Sequence, residues 1–427
     1  MALAAALAMA VGAAASSTAP VAAQSAPSVQ SVATITETFV DRTRPTAANG
    51  DCPKLTSRTL PTTISYPAPG STGGPYPLIV FAHGFGATAA TYQKLLEYVA
   101  SRGYVVAAPT FPLSSDDSPC GPIAGDYVNQ PEDESFVIDS VLKRSAAKTG
   151  SLAGLVDAKR IGAAGHSNGA VTTYGLVANT KVRDRRIDAA VVMAGTLERY
   201  PTGRFDLVHA PPLLLTHGVN DTLIPYDHAV EAFNRLQGPK GLLTLTSGGH
   251  GSASGADAYA ATGDFFDAYL RGDAAAKTRL PTDQVAGVST MQFDARKGSS
   301  TTIPTVPRAE LNLKATVTPN KNVTGGQVVT VHWSGYTPGK VVNILQCNGT
   351  NRDLANSSAC DYANAKLLQP DPTGEGEVQL TIVEGTVGDG VCDAKHAGCF
   401  VVVNNASSSD PRDNVIVDLT FKKQPQQ

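Results

Sequence analysis

The sequence predicts an α/β domain, built on a doubly wound and mainly parallel sheet, followed by an all-β sandwich. Short apolar runs typical of buried strands recur through the first two thirds of the chain, and turns or helical stretches follow them. From about residue 311 onward, short alternating runs separated by turn residues replace the helical periodicity. The length of 427 residues also suggests two or three domains rather than one.

The predicted domain division follows the composition along the chain. Residues 1–23 form an Ala-, Leu- and Val-rich run that resembles a secretory signal peptide; a membrane anchor is the alternative, but Gly, Ser and Pro interrupt the run. A catalytic domain is expected over 24–291. Residues 292–310 are rich in Ser, Thr, Pro and basic residues, which is a linker composition, and the sandwich is expected over 311–427.

The first candidate catalytic residue is Ser167, at the centre of the pentapeptide Gly165–Gly169. This G-x-S-x-G sequence lies between the apolar run Arg160–Ala164, which is typical of a buried strand, and a helix-compatible stretch that begins at Ala170. A strand, a sharp turn and a helix are the setting of a nucleophile elbow. The turn lifts the serine hydroxyl clear of the sheet, at a helix N-terminus that stabilises negative charge.

An acid and a histidine are expected downstream of the serine, each after a further strand. Asp221 follows the apolar run Pro212–Gly218, and His250 follows Gly241–Thr246. In an open α/β sheet, sites collect beyond the carboxyl ends of the strands. His250 is therefore the expected base that takes the serine proton, and Asp221 is expected to orient it.

Other residues compete for these two roles. His217 and His228 are alternative bases, although a histidine at a strand end, as His217 is, more often orders the following loop. Asp206 and Asp227 are alternative acids, but neither directly follows a strand. Asp221 itself has an alternative interpretation as a turn residue that caps the next helix.

A Gly-rich turn after an early strand supplies a candidate oxyanion hole. The apolar run Pro77–His83 continues into Gly84–Ala87, which places an H-G-x-G sequence at the strand end. Backbone N–H groups at such positions stabilise charge that develops only in the transition state, each by about 3 kcal/mol. The expected donors are the N–H groups of Phe85 and Asn168, and a plain Gly-rich turn is the alternative interpretation.

Residues 60–272 resemble an α/β-hydrolase of the group that contains dienelactone-hydrolase-like proteins, polyester hydrolases and platelet-activating-factor-acetylhydrolase-like proteins. The segments that carry this resemblance are Pro77–Gly86, Gly103–Pro109, Gln130–Asp139, Gly165–Gly169, His217–Pro225 and Phe265–Asp273. The resemblance implies hydrolysis of carboxylic esters through an acyl-enzyme, with Ser167, Asp221 and His250 as the catalytic triad. No metal ion or organic cofactor is implied.

The chain departs from these families around the nucleophile. Dienelactone hydrolases proper use a cysteine where Ser167 stands, so their substrate is not expected here. Polyester hydrolases usually carry methionine where Asn168 stands, and a tryptophan in the loop after the next strand. That loop holds Leu197 and Tyr200 instead. Polyesters therefore remain one candidate substrate among several.

A short connection after the next strand bears on the substrate. Only Gly195–Pro211 separates the strand at Ala189–Ala194 from the one that follows, which leaves no room for the helical cap of many lipases. An open site that accepts accessible or extended esters is expected. Phe85, Tyr200 and Tyr226 are the candidate substrate-lining residues, with simple packing as the alternative for each.

Residues 311–422 resemble the neocarzinostatin-type fold, an immunoglobulin-like sandwich with two local disulfides. Its strands are expected at Leu313–Thr318, Gln327–Trp333, Val341–Gln346, Glu377–Val383, Phe400–Val403 and Val415–Phe421. The resemblance rests on Ala315–Pro319, Gly325–Val331, Gly339, Gln346–Cys347, Ala359–Cys360, Cys392 and Gly398–Val402. Some members carry a chromophore, but no motif here matches that cleft, so this role is not transferred. An accessory domain that binds substrate or a surface and a stabilising spacer are the two alternatives.

The six cysteines agree with export, because secreted proteins pair their cysteines. Proximity in sequence suggests the pairs Cys347–Cys360 and Cys392–Cys399, which leaves Cys52–Cys120 within the hydrolase, although sequence alone leaves the pairing open. No C-x-x-C sequence is present to indicate zinc or redox chemistry. The formal net charge of -3 gives no indication of a nucleic-acid partner.

The sequence thus predicts a secreted serine carboxylic ester hydrolase that acts on short-to-medium acyl esters or accessible polymeric esters, polyesters included. An insoluble polymer or cell-wall surface is the expected partner of the C-terminal domain, with no stable membrane span. Three alternatives remain: a lipase or phospholipid acetylhydrolase, a serine peptidase or acyltransferase with the same triad, and a binding protein with a vestigial hydrolase.

Overall fold

The computed structural model describes residues 29–198, 200, 202–304, 312–338, 341–349, 359–405 and 413–423. The predicted signal peptide, residues 1–23, lies outside these residues, as do residues 305–310 of the predicted linker and residues 311 and 339 of the predicted sandwich.

A nine-stranded sheet organises the first two thirds of the described chain, and its order is β1-β2-β4-β3-β5-β6-β7-β8-β9. The strands are β1 (Val32–Asp41), β2 (Arg58–Pro67), β3 (Tyr76–Ala82), β4 (Val105–Pro109), β5 (Val156–His166), β6 (Ile187–Met193), β7 (Leu213–Gly218), β8 (Lys240–Leu245) and β9 (Ser289–Asp294). All pairings among β3–β8 are parallel, whereas β1, β2 and β9 pair antiparallel at the two edges. The predicted doubly wound sheet is therefore confirmed.

Helices cover both faces of this sheet. They are α1 (Gln93–Ser101), α2 (Gln130–Ser145), α3 (Asn168–Ala178), α4 (Asp227–Arg235), α5 (Tyr259–Leu270) and α6 (Ala274–Arg279). Successive residues of a strand point to opposite faces, so Leu78 and Val80 of β3 join the core beneath α2, α3 and α4. Ile79 and Phe81 join the other core, beneath α1 and α5. A strand buried on both faces is apolar throughout, which is why the sequence reveals it.

The strand order reverses between β3 and β5. The chain passes from β3 to β4 on one side, and then returns to place β5 on the other side of β3. Ligand sites in open α/β sheets form beyond the carboxyl ends of strands at such a switch point. Phe85 follows β3 and Ser167 follows β5, so the fold places both candidate residues at this crevice.

The C-terminal region is built from antiparallel strands only, within its described residues. One sheet contains β10 (Lys314–Thr318), β11 (Val328–Ser334) and β14 (Gly376–Thr381). The second contains β13 (Lys366–Leu368), β12 (Val342–Cys347), β17 (Phe400–Asn405) and β18 (Val415–Asp418). A separate two-stranded ribbon is formed by β15 (Gly385–Val387) and β16 (Gly390–Cys392). The inward faces enclose a core around Trp333, which is fully buried rather than exposed as a binding platform.

The three suggested disulfides are confirmed. Cys52 and Cys120 lie with their sulfurs 2.13 Å apart, and the corresponding distances are 2.02 Å for Cys347–Cys360 and 2.17 Å for Cys392–Cys399. Two bonds close short loops within the C-terminal region. The third ties the segment before β2 to the loop after β4, which borders the candidate site.

The predicted linker begins inside β9, because the sheet continues to Asp294. The chain then stays in contact with the α/β region as far as Ile303, whose N–H donates to the Asn234 side chain at 2.7 Å. The buried Lys240 ammonium donates to the Thr301 carbonyl at 2.7 Å. These contacts stabilise the end of α4. The division of the chain at residues 291 and 311 stays a prediction.

Candidate active site

The turn after β5 places Ser167 in a backbone conformation that few non-glycine residues adopt. Its φ is 58° and its ψ is −122°, directly before the first residue of α3. The two flanking glycines are required by close packing. A Cβ on Gly165 would lie 2.2 Å from the carbonyl oxygen of Gly169, and a Cβ on Gly169 would lie 2.0 Å from that of Ala82. Strain of this kind is typical of functional sites.

Ser167, His250 and Asp221 form a continuous series of hydrogen bonds. The distance from Ser167 Oγ to His250 Nε2 is 2.7 Å, and that from His250 Nδ1 to Asp221 Oδ2 is also 2.7 Å. A carboxylate can only accept, so Nδ1 of His250 carries the proton, and Nε2 is left to accept from the serine hydroxyl. This is the tautomer that a general base needs.

Asp221 is buried and fully hydrogen-bonded. Its Oδ1 accepts from the N–H groups of Leu223 and Ile224, both at 2.9 Å. Burial alone would raise the pKa of Asp221, but hydrogen bonds from His217 and His250 outweigh burial and hold the pKa well below its ordinary value. Asp221 therefore remains a carboxylate that stabilises positive charge on His250.

The loop after β3 borders the nucleophile, and His83 fixes the orientation of the peptide unit that joins Gly84 to Phe85. Phe111 N–H donates to His83 Nε2 at 3.0 Å, so His83 Nδ1 carries the proton and donates to the Gly84 carbonyl at 2.8 Å. Peptide bonds are planar and trans, so the N–H of Phe85 points the opposite way from that carbonyl. Gly84 borders the nucleophile, since a Cβ there would lie 3.3 Å from Ser167 Cβ.

The two predicted oxyanion donors are available. The N–H groups of Phe85 and Asn168 have no acceptor among the described residues. Asn168 is the first residue of α3, where N–H groups lack intrahelical partners. Its side chain donates to the Ala124 carbonyl at 3.4 Å, which links the elbow to the neighbouring 3-10 helix.

The three predicted lining residues have different surroundings. Phe85 is 46% exposed beside the nucleophile. Tyr200 is buried, and its hydroxyl donates to the Val171 carbonyl of α3 at 3.1 Å, so it supports the elbow helix instead of presenting a surface to a ligand. The Tyr226 hydroxyl bonds Thr244 Oγ1 on β8 at 2.7 Å. Geometry therefore favours Phe85 as a lining residue and packing roles for both tyrosines.

The competing histidines have other partners. His217 is buried, and its Nε2 lies 2.8 Å from the Ile224 carbonyl and 3.3 Å from Asp221 Oδ2. It therefore orders the loop that carries Asp221, the role expected from its position at a strand end. His228 Nδ1 lies 3.0 Å from Thr196 Oγ1.

The competing acids lie elsewhere in the structure. Asp206 pairs with His209, at 2.9 Å from its Nδ1. Asp227 is in the first turn of α4. Neither Asp206 nor Asp227 bonds Ser167 or His250 among the described residues.

Two further residues of the site were not predicted from the sequence. His166 Nδ1 lies 2.9 Å from the hydroxyl of Tyr92, and His166 Nε2 lies 3.0 Å from the backbone carbonyl of His250. Burial lowers the pKa of His166 to about 4, so the ring is neutral at physiological pH. Its position next to Ser167 is the only signal in the sequence that could have identified it.

Within the described residues, no group of three or more His, Cys, Asp or Glu side chains is arranged to hold a metal ion. None of the helices in that part of the chain has the length and apolar character needed to cross a membrane.

Two protein-family models match this chain, one in the N-terminal region and one in the C-terminal region. The chlorophyllase family model matches residues 41–194, a range that contains Ser167 and ends before Asp221 and His250. The neocarzinostatin family model matches residues 315–421. No curated protein matches the chain. A solved ferulic acid esterase from Streptomyces cinnamoneus is 24% identical to it, with a TM-score of 0.46, over 63% of this chain and 98% of that one.

The N-terminal region is thus an esterase-type α/β-hydrolase, and the C-terminal region is a neocarzinostatin-like all-β unit. The predicted fold class and the predicted enzyme class, a carboxylic ester hydrolase, are therefore confirmed.

Proposed function

We propose that this esterase-type hydrolase uses Ser167 as its nucleophile and cleaves carboxylic esters through an acyl-enzyme. The observation that carries the proposal is the pair of 2.7 Å hydrogen bonds that join Ser167, His250 and Asp221. A serine hydroxyl becomes a competent nucleophile only beside a positioned base. The strained elbow adds support, because strain of this kind persists where function needs it.

The proposed reaction has two halves. Ser167 Oγ attacks the ester carbonyl carbon while His250 Nε2 takes its proton, and the resulting oxyanion accepts hydrogen bonds from the N–H groups of Phe85 and Asn168. His250 then protonates the departing alcohol, which leaves an acyl group on Ser167. Water attacks that acyl group by the same route, and His250 returns the proton to Ser167. Asp221 stabilises the imidazolium that forms in both halves.

We propose esters with short-to-medium acyl groups, or accessible polymeric esters, as the substrates. Phe85 and Leu223 are large apolar side chains left exposed, at 46% and 47%, on loops next to the triad. The connection between β6 and β7 contains no helix within its described residues. These features suit a substrate that lies across an open, partly apolar surface.

Hydrolysis of p-nitrophenyl esters from acetate to palmitate, by the wild-type protein and by Ser167→Ala, tests the proposal. We expect activity greatest on short chains and reduced by about 10⁴-fold or more in the variant. Ser101→Ala, which changes a serine whose hydroxyl bonds the Tyr98 carbonyl, is the matched control and should retain full activity. Equal activity of Ser167→Ala and wild type would refute the proposal.

A transferase and a peptidase remain the alternatives that share this chemistry. An acyltransferase would divert the acyl group to an added alcohol in preference to water. Product analysis in about 1 M methanol separates these outcomes: we expect free acid as the main product, whereas an acyltransferase would give mainly the methyl ester. A peptidase would cleave p-nitroanilides at rates similar to the matching esters, and we expect the esters to be strongly preferred.

We also propose that the protein is exported. Three disulfides are typical of an oxidising compartment, and residues 1–23 resemble a signal peptide. Protein recovered from the culture medium should begin at Gln24, and a mature chain that retains Met1 would contradict this.

The C-terminal region is proposed to bind an insoluble polymer or cell-wall surface. Val328, Leu367 and Val391 are apolar side chains left exposed in this region. Full-length Ser167→Ala, which leaves the polymer intact, should sediment with polyester powder or cell wall, and adding Leu367→Asp should reduce the bound fraction. Lys366→Gln is the control at the neighbouring exposed position. Binding that is unaffected by Leu367→Asp and Val328→Asp would count against this role.

A further inference from the structure

We infer that Tyr92 and His166 are positioning residues, which couple the oxyanion loop to the backbone of the catalytic base. The inference rests on the proposed function, because it explains how the parts of that site are held together. Tyr92 ends a short 3-10 helix before α1, and His166 is the last residue of β5. Both side chains are only 7% exposed.

The direction of each hydrogen bond in this relay is fixed by chemistry. The His250 backbone carbonyl can only accept, so His166 Nε2 carries the ring proton and donates to it at 3.0 Å. The ring is neutral, so His166 Nδ1 has a free lone pair that accepts from the Tyr92 hydroxyl at 2.9 Å. The Tyr92 oxygen in turn accepts from the N–H of Gly84 at 3.1 Å.

The relay therefore joins the loops that follow three strands. Gly84 lies after β3, His166 ends β5 and His250 lies after β8. Each loop contributes one part of the proposed machinery, namely the oxyanion donor, the nucleophile and the base. The Tyr92 hydroxyl is the only side-chain group among the described residues that bonds both Gly84 and His166.

The local sequence is adapted to this contact. A Cβ on Gly84 would lie 2.8 Å from the Tyr92 hydroxyl oxygen, so the absence of a side chain there lets the phenol approach the backbone. The Tyr92 ring packs on Phe81, with ring centroids 4.9 Å apart. The ring of His166 packs on that of His250, with centroids 4.8 Å apart. Packing holds the rings in place, and the hydroxyl supplies the directional bonds.

The base must satisfy two short hydrogen bonds at once, each of 2.7 Å. A displacement of its backbone lengthens at least one of them, and small errors in position at a reacting centre reduce rates strongly. Without the Tyr92 hydroxyl, His166 is free to move its proton to Nδ1, and it then no longer donates to His250. Tyr92 and His166 are buried and present no surface to a substrate, so the effect should fall mainly on kcat rather than on KM.

Tyr92→Phe in the full-length protein tests the inference, because it removes one oxygen and keeps the packing. With p-nitrophenyl butyrate we expect kcat to fall about tenfold and KM to stay within about twofold. Tyr98→Phe is the matched control: it removes a phenol hydroxyl bonded to Arg102, away from the triad, and should keep kcat within about twofold.

Nitrogen-15 NMR of histidine-labelled protein supplies a readout that simple loss of structure would not mimic. We expect His166 as the Nε2–H tautomer in the wild type and a mixture of tautomers in Tyr92→Phe. His166→Gln keeps a donor that reaches the His250 carbonyl, and it should retain more activity than His166→Leu.

Two results would overturn the inference. One is a kcat of Tyr92→Phe within about twofold of the wild type, and the other is a reduced kcat with an unchanged tautomer of His166. Failure of the proposed function is a separate result, because wild type would then match Ser167→Ala on every ester. The wild-type tautomer still tests the relay in that case.

Discussion

The buried carboxyl group of Glu134, on the helix that packs against α3, should make the stability of the protein depend on pH. This residue lies on α2, which packs against α3, and it is 1% exposed. Neither carboxyl oxygen has a hydrogen-bond partner within the described part of the chain. Burial raises the pKa of Glu134 well above its ordinary value of 4.5, and the neighbouring Asp133 raises it further. The folded protein therefore keeps this group protonated at pH values where the unfolded chain ionises it.

This difference makes stability depend on pH in a calculable way. Above pH 4.5 the folded state binds one more proton than the unfolded state, so the free energy of unfolding decreases as the pH rises. The loss is about 1.4 kcal/mol for each pH unit until the raised pKa is reached. Between about pH 5 and 7 it amounts to at most about 3 kcal/mol. Glu134→Gln abolishes the titration, so its stability relative to the wild type should grow by this amount.

Urea unfolding followed by far-UV circular dichroism, at about pH 5, 6 and 7, measures the effect. Fluorescence of Trp333, the single tryptophan, reports the C-terminal region separately and should not change. Glu132→Gln on the same helix is the control, because that side chain is 54% exposed. A stability difference between Glu134→Gln and wild type that stays constant with pH, whether large or small, would refute the prediction that the buried carboxyl is protonated in the folded protein.

Three further predictions concern the site and its supports. Asp221→Asn should lower kcat by about 10⁴-fold with an unchanged circular dichroism spectrum, because the base then takes the wrong tautomer; activity within tenfold of wild type would contradict this. Gly165→Ala should destabilise the fold by more than about 3 kcal/mol, measured as a lower Tm, because its Cβ would meet the Gly169 carbonyl at 2.2 Å. Replacing Cys52 and Cys120 by serine should cost about 4 kcal/mol of stability for a separation of 68 residues, and an unchanged urea midpoint would contradict it.

The parallel core of the fold could be predicted because its strands are apolar throughout. The run Pro77–His83 corresponds to β3, and Gly241–Thr246 corresponds to β8, each to within one residue at either end. The first strand, Val32–Asp41, was not predicted. Its exposed threonines at positions 34, 36 and 38 alternate with Ile35, Glu37 and Phe39 on the other face, because the strand lies at the sheet edge with one face towards solvent. Such a pattern is less distinct from a polar loop than a run that is buried on both faces.

The arrangement of the candidate site was predictable where it follows from chain order. Ser167, Asp221 and His250 each come after a parallel strand, so the fold brings their side chains to one edge, and their catalytic roles stay predictions. Tyr92 could not be found in this way, because it belongs to no motif and is 74 residues from His166. Tyr200 shows a second limit of the sequence. An aromatic side chain can line a site or pack in the core, and its residue type alone does not distinguish the two; here its hydroxyl bonds the Val171 carbonyl.

Covalent labelling by a p-nitrophenyl alkylphosphonate tests the central claim most directly, since the phosphorus centre mimics the tetrahedral intermediate and remains on the nucleophile. We expect loss of esterase activity in step with one adduct per chain, and peptide mapping should find that adduct on Ser167. Loss of activity with the adduct on another residue, or full activity in a protein labelled at Ser167, would contradict the account.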